Sequence, residues 1–341
     1  MSYFKNLSLL FKTAGILLIV LLFTGTGLSY AQNILPNLGD SRSGTSGFQF
    51  LKINVDARSS AMGSSNVADV VDGSSLYFNP ALASQMDRSQ FYLSHTAYFA
   101  DISLNYASYI HKFNSVAIGG SLTYLDSGEM DETTEFNPFG IGRTFRTIHM
   151  AAAFSFSQQL SDLFSYGATV KYIDERIEEI QAQNVVFDVG FFYRVSDTGL
   201  RFAVGLNNFG VDSQPSGETT SPTLEGPVTH TDFEDISPPT MFLIGAAFDA
   251  YQSENFSVLA TAQVTNPADN AERFSLGAEI GYIDMFFFRA GYEFGVDEAK
   301  LPSAGIGFKV PFLERDMALD YGFSTRDRLG NLHRFALKFN L

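Results

Sequence analysis

Alternation with a period of two, sustained over segments of about ten residues, constrains this chain more than any other feature of its sequence. VVFDVGFFYR, residues 185–194, places Val185, Phe187, Val189, Phe191 and Tyr193 on one face and Asp188, Gly190 and Arg194 on the other. RFSLGAEIGY, residues 273–282, opposes Phe274, Leu276, Ala278, Ile280 and Tyr282 to Arg273, Ser275, Gly277, Glu279 and Gly281. FFFRAGYEF, residues 286–294, repeats the arrangement with Phe286, Phe288, Ala290, Tyr292 and Phe294 against Arg289, Gly291 and Glu293. From Ser89 onward no helical period appears, and β-branched and aromatic residues dominate. About fourteen such strands can be placed. Brief turns such as FNS (113–115), LSD (160–162), SDTG (196–199) and YID (282–284) join them alternately with more varied links, two of them long, 127–146 and 209–238.

Short turns on one rim, longer loops on the other and an even number of ten-residue antiparallel strands predict an all-β fold, a transmembrane outer-membrane β-barrel. A soluble β-sandwich also alternates, but it buries its apolar faces and needs charge on its outer ones. Here the polar face is rich in Gly and Ser and carries both signs, with Lys171, Asp188, Arg194, Glu279, Arg289, Glu293, Lys309, Arg334 and Lys338 beside the uncharged Gln263, which suits a hydrated, crowded lumen. The apolar face, including Phe187, Phe191, Phe274, Ile280, Phe286, Phe288, Phe335 and Phe339, is expected to meet lipid. Tyr166, Tyr172, Tyr282 and Tyr292 near strand ends fit an interfacial girdle. An arginine at lumen-facing Gly291 is then expected to be tolerated better than one at Phe288, unless something else fills that space. The chain ends in LHRFALKFNL, whose His333, Phe335, Leu337, Phe339 and Leu341 share a face, as a barrel-closing strand requires.

Composition agrees: 34 Phe and 15 Tyr without a single Trp or Cys exceed what a soluble core of a 341-residue chain uses. The lack of Cys removes disulfide frameworks and thiolate metal sites. A formal charge of −15 and no basic stripe argue against nucleic acid. Lys5 and Lys12, the apolar run Ala14–Phe23 and the small-x-small Ser29, Tyr30, Ala31 predict a signal peptide over residues 1–31, cut after Ala31. The run is shorter than the roughly 20 residues of a membrane-crossing helix.

No constellation for catalysis is evident, and the chain is expected not to be an enzyme and to use no cofactor. His95, His111, His149, His230 and His333 are scattered, and Ser94 beside His95 on a strand points to the opposite face. The acidic clusters Glu129, Asp131, Glu132, Glu135 and Asp232, Glu234, Asp235 lack the spacing and central Gly of a calcium loop, so no metal is expected.

Residues 32–88 precede the first strand and are rich in Gly, Ser, Ala and Asp. A fourteen-strand barrel has room for a plug, and residues 89–341 would form its wall. The stretch SSLYFNPALAS, 74–84, reads on its own as a capped turn before a short helix, since Pro80 fixes φ and holds Asn79 extended. In its context, FQFLKINVDARSSAMGSSNVADVVDGSSLYFNPALAS (48–84) resembles the N-terminal signature of the PorV/PorQ family within the FadL-like outer-membrane proteins. The elements that carry the resemblance are Asp56, Ala57, Arg58, Ala61, Met62 and Gly63, then Asp72 and Gly73, then Asn79, Pro80 and Ala81. FFFRAGYEF, LPSAGIGFKV, the pair Asp320 and Tyr321, and LHRFALKF extend it to the last four strands.

The resemblance implies a fourteen-strand barrel in the outer membrane of a Gram-negative (diderm) bacterium, with the N-terminal segment folded inside as a hatch turned at Asn79 and Pro80. It further implies either a type IX secretion accessory, meeting secreted cargo proteins and secretion-apparatus components, or FadL-like uptake of a hydrophobic ligand. Fold alone does not separate these. The long loops carry the exposed apolar candidates for a partner or ligand, Phe136, Phe139 and Phe145 in one and Phe233 in the other.

Overall fold

The computed structural model describes residue 44 and residues 46–341, except 134, 136, 224, 225, 297, 300, 313 and 314. The signal-peptide assignment therefore lies outside the described residues. Fourteen antiparallel strands close into a barrel: β1 (Gln90–Ala97), β2 (Ser103–Phe113), β3 (Val116–Asp126), β4 (Thr147–Ser161), β5 (Phe164–Ile177), β6 (Ile180–Arg194), β7 (Leu200–Gly210), β8 (Met241–Gln252), β9 (Phe256–Pro267), β10 (Arg273–Tyr282), β11 (Phe286–Phe294), β12 (Ser303–Phe312), β13 (Arg315–Arg326) and β14 (Gly330–Asn340). Each strand pairs with its sequence neighbours, and β14 closes on β1 in a register running from Gln90 opposite Asn340 to Ala97 opposite His333. Closure leaves no unpaired edge, which a lipid-embedded sheet could not tolerate.

The alternation read from the sequence sets which way each side chain points. Phe187, Phe191, Ile280, Phe288 and Phe335 lie exposed on the outer wall, and Phe339 stands half-buried beside Phe91 on the same face. Their neighbours one residue along, such as Val186, Asp188 and Phe192, are buried inside. Two small hairpins that the period-two pattern did not single out stand within the long loops, Met130–Asp131 with Thr144–Phe145 and Thr219–Thr223 with Gly226–His230.

The interior is filled by residues 46–88, which run from the loop-bearing rim to the turn-bearing rim. At the first, Ser46 bridges Ser237 of the 211–240 loop, and the Gln49 amide donates to Asp269 over 2.7 Å. At the second, the segment passes into β1 at Gln90. Between them lie two short helices, α1 (Ala57–Ala61) and α2 (Ser75–Phe78), and 3-10 turns at Gln49–Lys52 and Pro80–Gln85. The apolar core is therefore inside the barrel, where Phe48, Leu51, Val55, Met62, Val67 and Leu82 of the segment pack with Tyr92, Tyr106, Ile173 and Phe192 of the wall.

Candidate functional site

The turn at Asn79 shows how the segment is held. Asn79 is extended (φ −154°, ψ 101°), as a residue before proline must be, and its Oδ1 accepts from the Ala81 amide at 3.1 Å to cap the Pro80–Gln85 turn. The same side chain donates to the Val67 carbonyl at 2.9 Å and to the carbonyl of Phe191 in β6 at 3.4 Å. The local capped turn and the link to the wall are thus one arrangement. Ala81 presents its carbonyl to the hydroxyls of Ser157 and Ser165 at 3.0 and 3.1 Å, and Asn207 donates to the Phe78 carbonyl at 2.9 Å. Asp56 caps α1 by accepting from the Ser59 amide at 2.6 Å, and the Tyr92 hydroxyl donates to its other oxygen at 2.5 Å. Gln263 accepts from the Asn66 and Val67 amides, each at 2.9 Å. Backbone groups that would be orphaned inside the barrel are met by polar side chains of the wall, as buried amides and carbonyls require.

Shape explains the glycines of the lumen face. A Cβ placed on Gly167 would stand 2.5 Å from the Pro80 carbonyl carbon, one on Gly277 2.6 Å from the Met62 oxygen, and one on Gly305 2.5 Å from Ala61 Cβ. At Gly190 it would strike the Asn79 amide, and at Gly291 the Met62–Gly63 peptide itself. The space in front of Gly291 is therefore occupied, and an arginine there is not the mild change an empty lumen would allow. Gly63 (φ 66°) needs its missing side chain twice, for its left-handed backbone and for its approach to the Tyr292 amide.

Charges bind the segment to the turn-bearing half of the wall in one continuous chain. Asp249 pairs with Arg201 (2.6 Å), Arg201 with Asp69 (3.2 Å), Asp69 with Arg58 (2.5 Å) and Arg58 with Glu279 (2.9 Å). Glu279 also takes Arg289, which reaches Asp320 at 2.5 Å; Asp320 and Asp72 share Lys338 at 2.9 and 2.6 Å. Arg58, Asp69 and Asp72 come from the segment and the rest from six strands. Burial raises the Asp72 carboxyl, but Lys338 and two hydrogen bonds from Ser74 outweigh it and hold it below 3.8. Burial, with the charge of Asp72 adding to it, pushes Asp56 above 3.8. Sequence reasoning named Glu279, Arg289 and Lys338 as lumen residues, and Arg58, Asp72 and Asp320 only through the family resemblance; it missed Asp69, Arg201 and Asp249 and every pairing, because partners such as Arg58 and Glu279 are 221 residues apart.

The loop candidates are not brought together with the segment's signature. Phe139 is fully exposed, Phe145 and Phe233 are half-buried, and Phe136 lies outside the described residues. Phe145 belongs to the small hairpin, and the Phe233 carbonyl accepts from Gln214 at 2.7 Å. The adjoining Ile236 turns inward and packs on the lumenal core. Ser94 donates to the Val55 carbonyl inside the barrel while His95 meets Asn105 on the outer wall, so they form no nucleophile and base pair. Among the described residues no group of three or more His, Asp or Glu side chains stands close enough to share a metal ion.

Known proteins share this architecture. Residues 37–212 match the family model described as "Type IX secretion system protein PorV", just over half of the chain. No curated protein matches. The toluene transporter TbuX of Ralstonia pickettii superposes with a TM-score of 0.57 at 12% identity, over 83% of this chain and 96% of that one. The toluene transporter TodX of Pseudomonas putida gives 0.57 at 14%, with the same coverage. A FadL homologue of Pseudomonas aeruginosa gives 0.52 at 11%, over 84% and 99%. These structures share the fold, and with the family model they are transport or secretion barrels.

Proposed function

The chain belongs to the PorV family of type IX secretion system proteins, and on that premise we propose that it is an accessory of type IX secretion that handles exported proteins at the cell surface. The single observation that carries the reading is the family match, which spans the lumenal segment and the first seven strands. In this reading residues 1–31 are removed on export, 32–88 act as a hatch and 89–341 cross the outer membrane. The loop-bearing rim faces outward, as it does in barrels whose short turns are periplasmic. Asp56, Arg58, Met62, Gly63, Asn79, Pro80 and Ala81 seat the hatch, and the loop aromatics Phe136, Phe139, Phe145 and Phe233 grip the cargo, since buried aromatics dominate such interfaces.

A second reading, uptake of a hydrophobic small molecule, draws support from the TbuX and TodX superpositions, which speak for fold. Against it, the lumen beneath the loops is lined by arginines, asparagines and serines as much as by apolar groups. The test replaces Phe136, Phe139 and Phe233 with Ser in the native host. Loss of cargo release at the cell surface with normal uptake of a long-chain fatty acid supports secretion. The reverse pattern makes the protein a transporter, and no change in either assigns the aromatics to a lid.

A further inference from the structure

A cavity of about 220 Å³ lies between the lumenal segment and the loop-bearing ends of β7–β14, and its charge is unbalanced. Among the described residues Arg273, Arg326, Arg334 and Lys52 line it, with Glu293 as the one carboxylate in its wall, and Lys52 is paired with Asp269 at 2.9 Å. Glu293 bridges the first two, at 3.2 Å to Arg273 and 3.3 Å to Arg326. Arg334 is 3% exposed and, among the described residues, makes no ion pair. Its Nε donates to the Asn54 carbonyl at 3.1 Å, and its Nη1 to the hydroxyls of Ser324 and Ser60 at 3.1 and 3.4 Å. A buried guanidinium with only neutral partners is a costly arrangement that a bound anion relieves.

Two of the residues that line the cavity carry unmet acceptors. Asn66 and Asn207 each use their amide nitrogen, toward Ser59 and the Phe78 carbonyl, and each leaves a buried Oδ1 without a donor among the described residues. Arginine suits an oxyanion through its planar fork, and the asparagine oxygens ask for hydroxyl or N–H donors on the same ligand.

We propose that this cavity is a binding site for a small hydroxylated carboxylate, its anionic group on Arg334 and the Arg273–Arg326 pair and its hydroxyls toward Asn66 and Asn207. The site goes beyond the secretion reading and does not depend on it. Its chemistry is opposite to a greasy channel, because burying an alkyl chain against three guanidinium groups leaves them unsolvated.

The experiment titrates sodium malate into the purified full chain in non-ionic detergent at low salt, by calorimetry, with glycerol and laurate as comparison ligands. Saturable malate binding is expected, with glycerol and laurate silent, weakened at least tenfold in R334Q and also in R273Q and R326Q. R194Q, at the opposite rim, is expected to bind as the parent does. Because Arg334 also holds the segment at Asn54, the other two arginines guard against simple undocking. A loss confined to R334Q overturns the proposal, as does equal binding by all variants, no heat up to 10 mM malate, or laurate binding in its place.

Discussion

Adding one side chain at Gly291 tests whether the lumenal segment plugs the barrel. Gly291→Val puts carbon where the Met62 carbonyl and the Gly63 amide now lie, and Gly277→Val does the same 2.6 Å from the Met62 oxygen. At Gly291 the obstacle is backbone alone; at Gly277 the Thr261 hydroxyl also stands at 2.6 Å, but its rotation leaves the Met62 oxygen in place, so relief at either site requires moving the α1 end of the segment. Overpacking of this kind costs about 1–3 kcal/mol. Against a docked segment that raises the displaced fraction roughly 5- to 150-fold. The two sites press on the same peptide, so their effects will not add. Gly120→Val is the control, since it faces outward with its nearest contact, the Ala153 oxygen, at 3.6 Å. The assay is ion conductance in planar bilayers, on protein shown by heat-modifiable gel migration to be folded. Gly291→Val and Gly277→Val are expected to conduct more than the parent, and Gly120→Val the same. A folded Gly291→Val barrel as tight as the parent would refute the plug reasoning.

Further outcomes follow from the same geometry. Phe288→Arg places a cation on the lipid face at a side chain 56% exposed there and is expected to lower folding yield in vesicles, at about 2–4 kcal/mol near mid-bilayer; a yield equal to the parent's would reverse the face assignment. Asp72 is held below 3.8, so its contribution to docking is complete above 3.8 and fades as pH falls through the depressed value; conductance should stay low at pH 5 and rise only under stronger acid. Asp72→Asn should raise conductance already at pH 7, and a variant as closed as the parent would remove the Lys338 pair as an anchor. Deleting residues 34–84 should leave a barrel that assembles, because the outer face and β14 are intact, but leaks small solutes; assembly without leakage would count against a hatch.

Strand faces were legible because a pleated sheet alternates with a period that no other element shares, which is why Phe187, Ile280 and Phe335 could be set outward from their neighbours alone. The small hairpins in the loops were not, since Met130–Asp131 and Thr144–Phe145 pair across too few residues to show a period. The lumen glycines could be read as polar-face positions, yet the reason for Gly167 or Gly291 is a backbone arriving from elsewhere in the chain. The ion-pair chain was hidden for the same reason. Lys338 and Asp72 carry no local sign of each other, and only barrel closure puts them 2.6 Å apart.

The path of residues 46–88 bears on the order of assembly. The segment is fastened to Ser237 and Asp269 at one rim and continues directly into β1 at the other, so it traverses the ring from end to end. A finished ring cannot receive such a strap sideways; its leading end would have to thread the whole bore. Closing the last seam, β14 onto β1, around a segment already lying between the strands is the order that spares this threading, while the ladder of the wall, continuous from β1 to β14, does not itself pass through the segment.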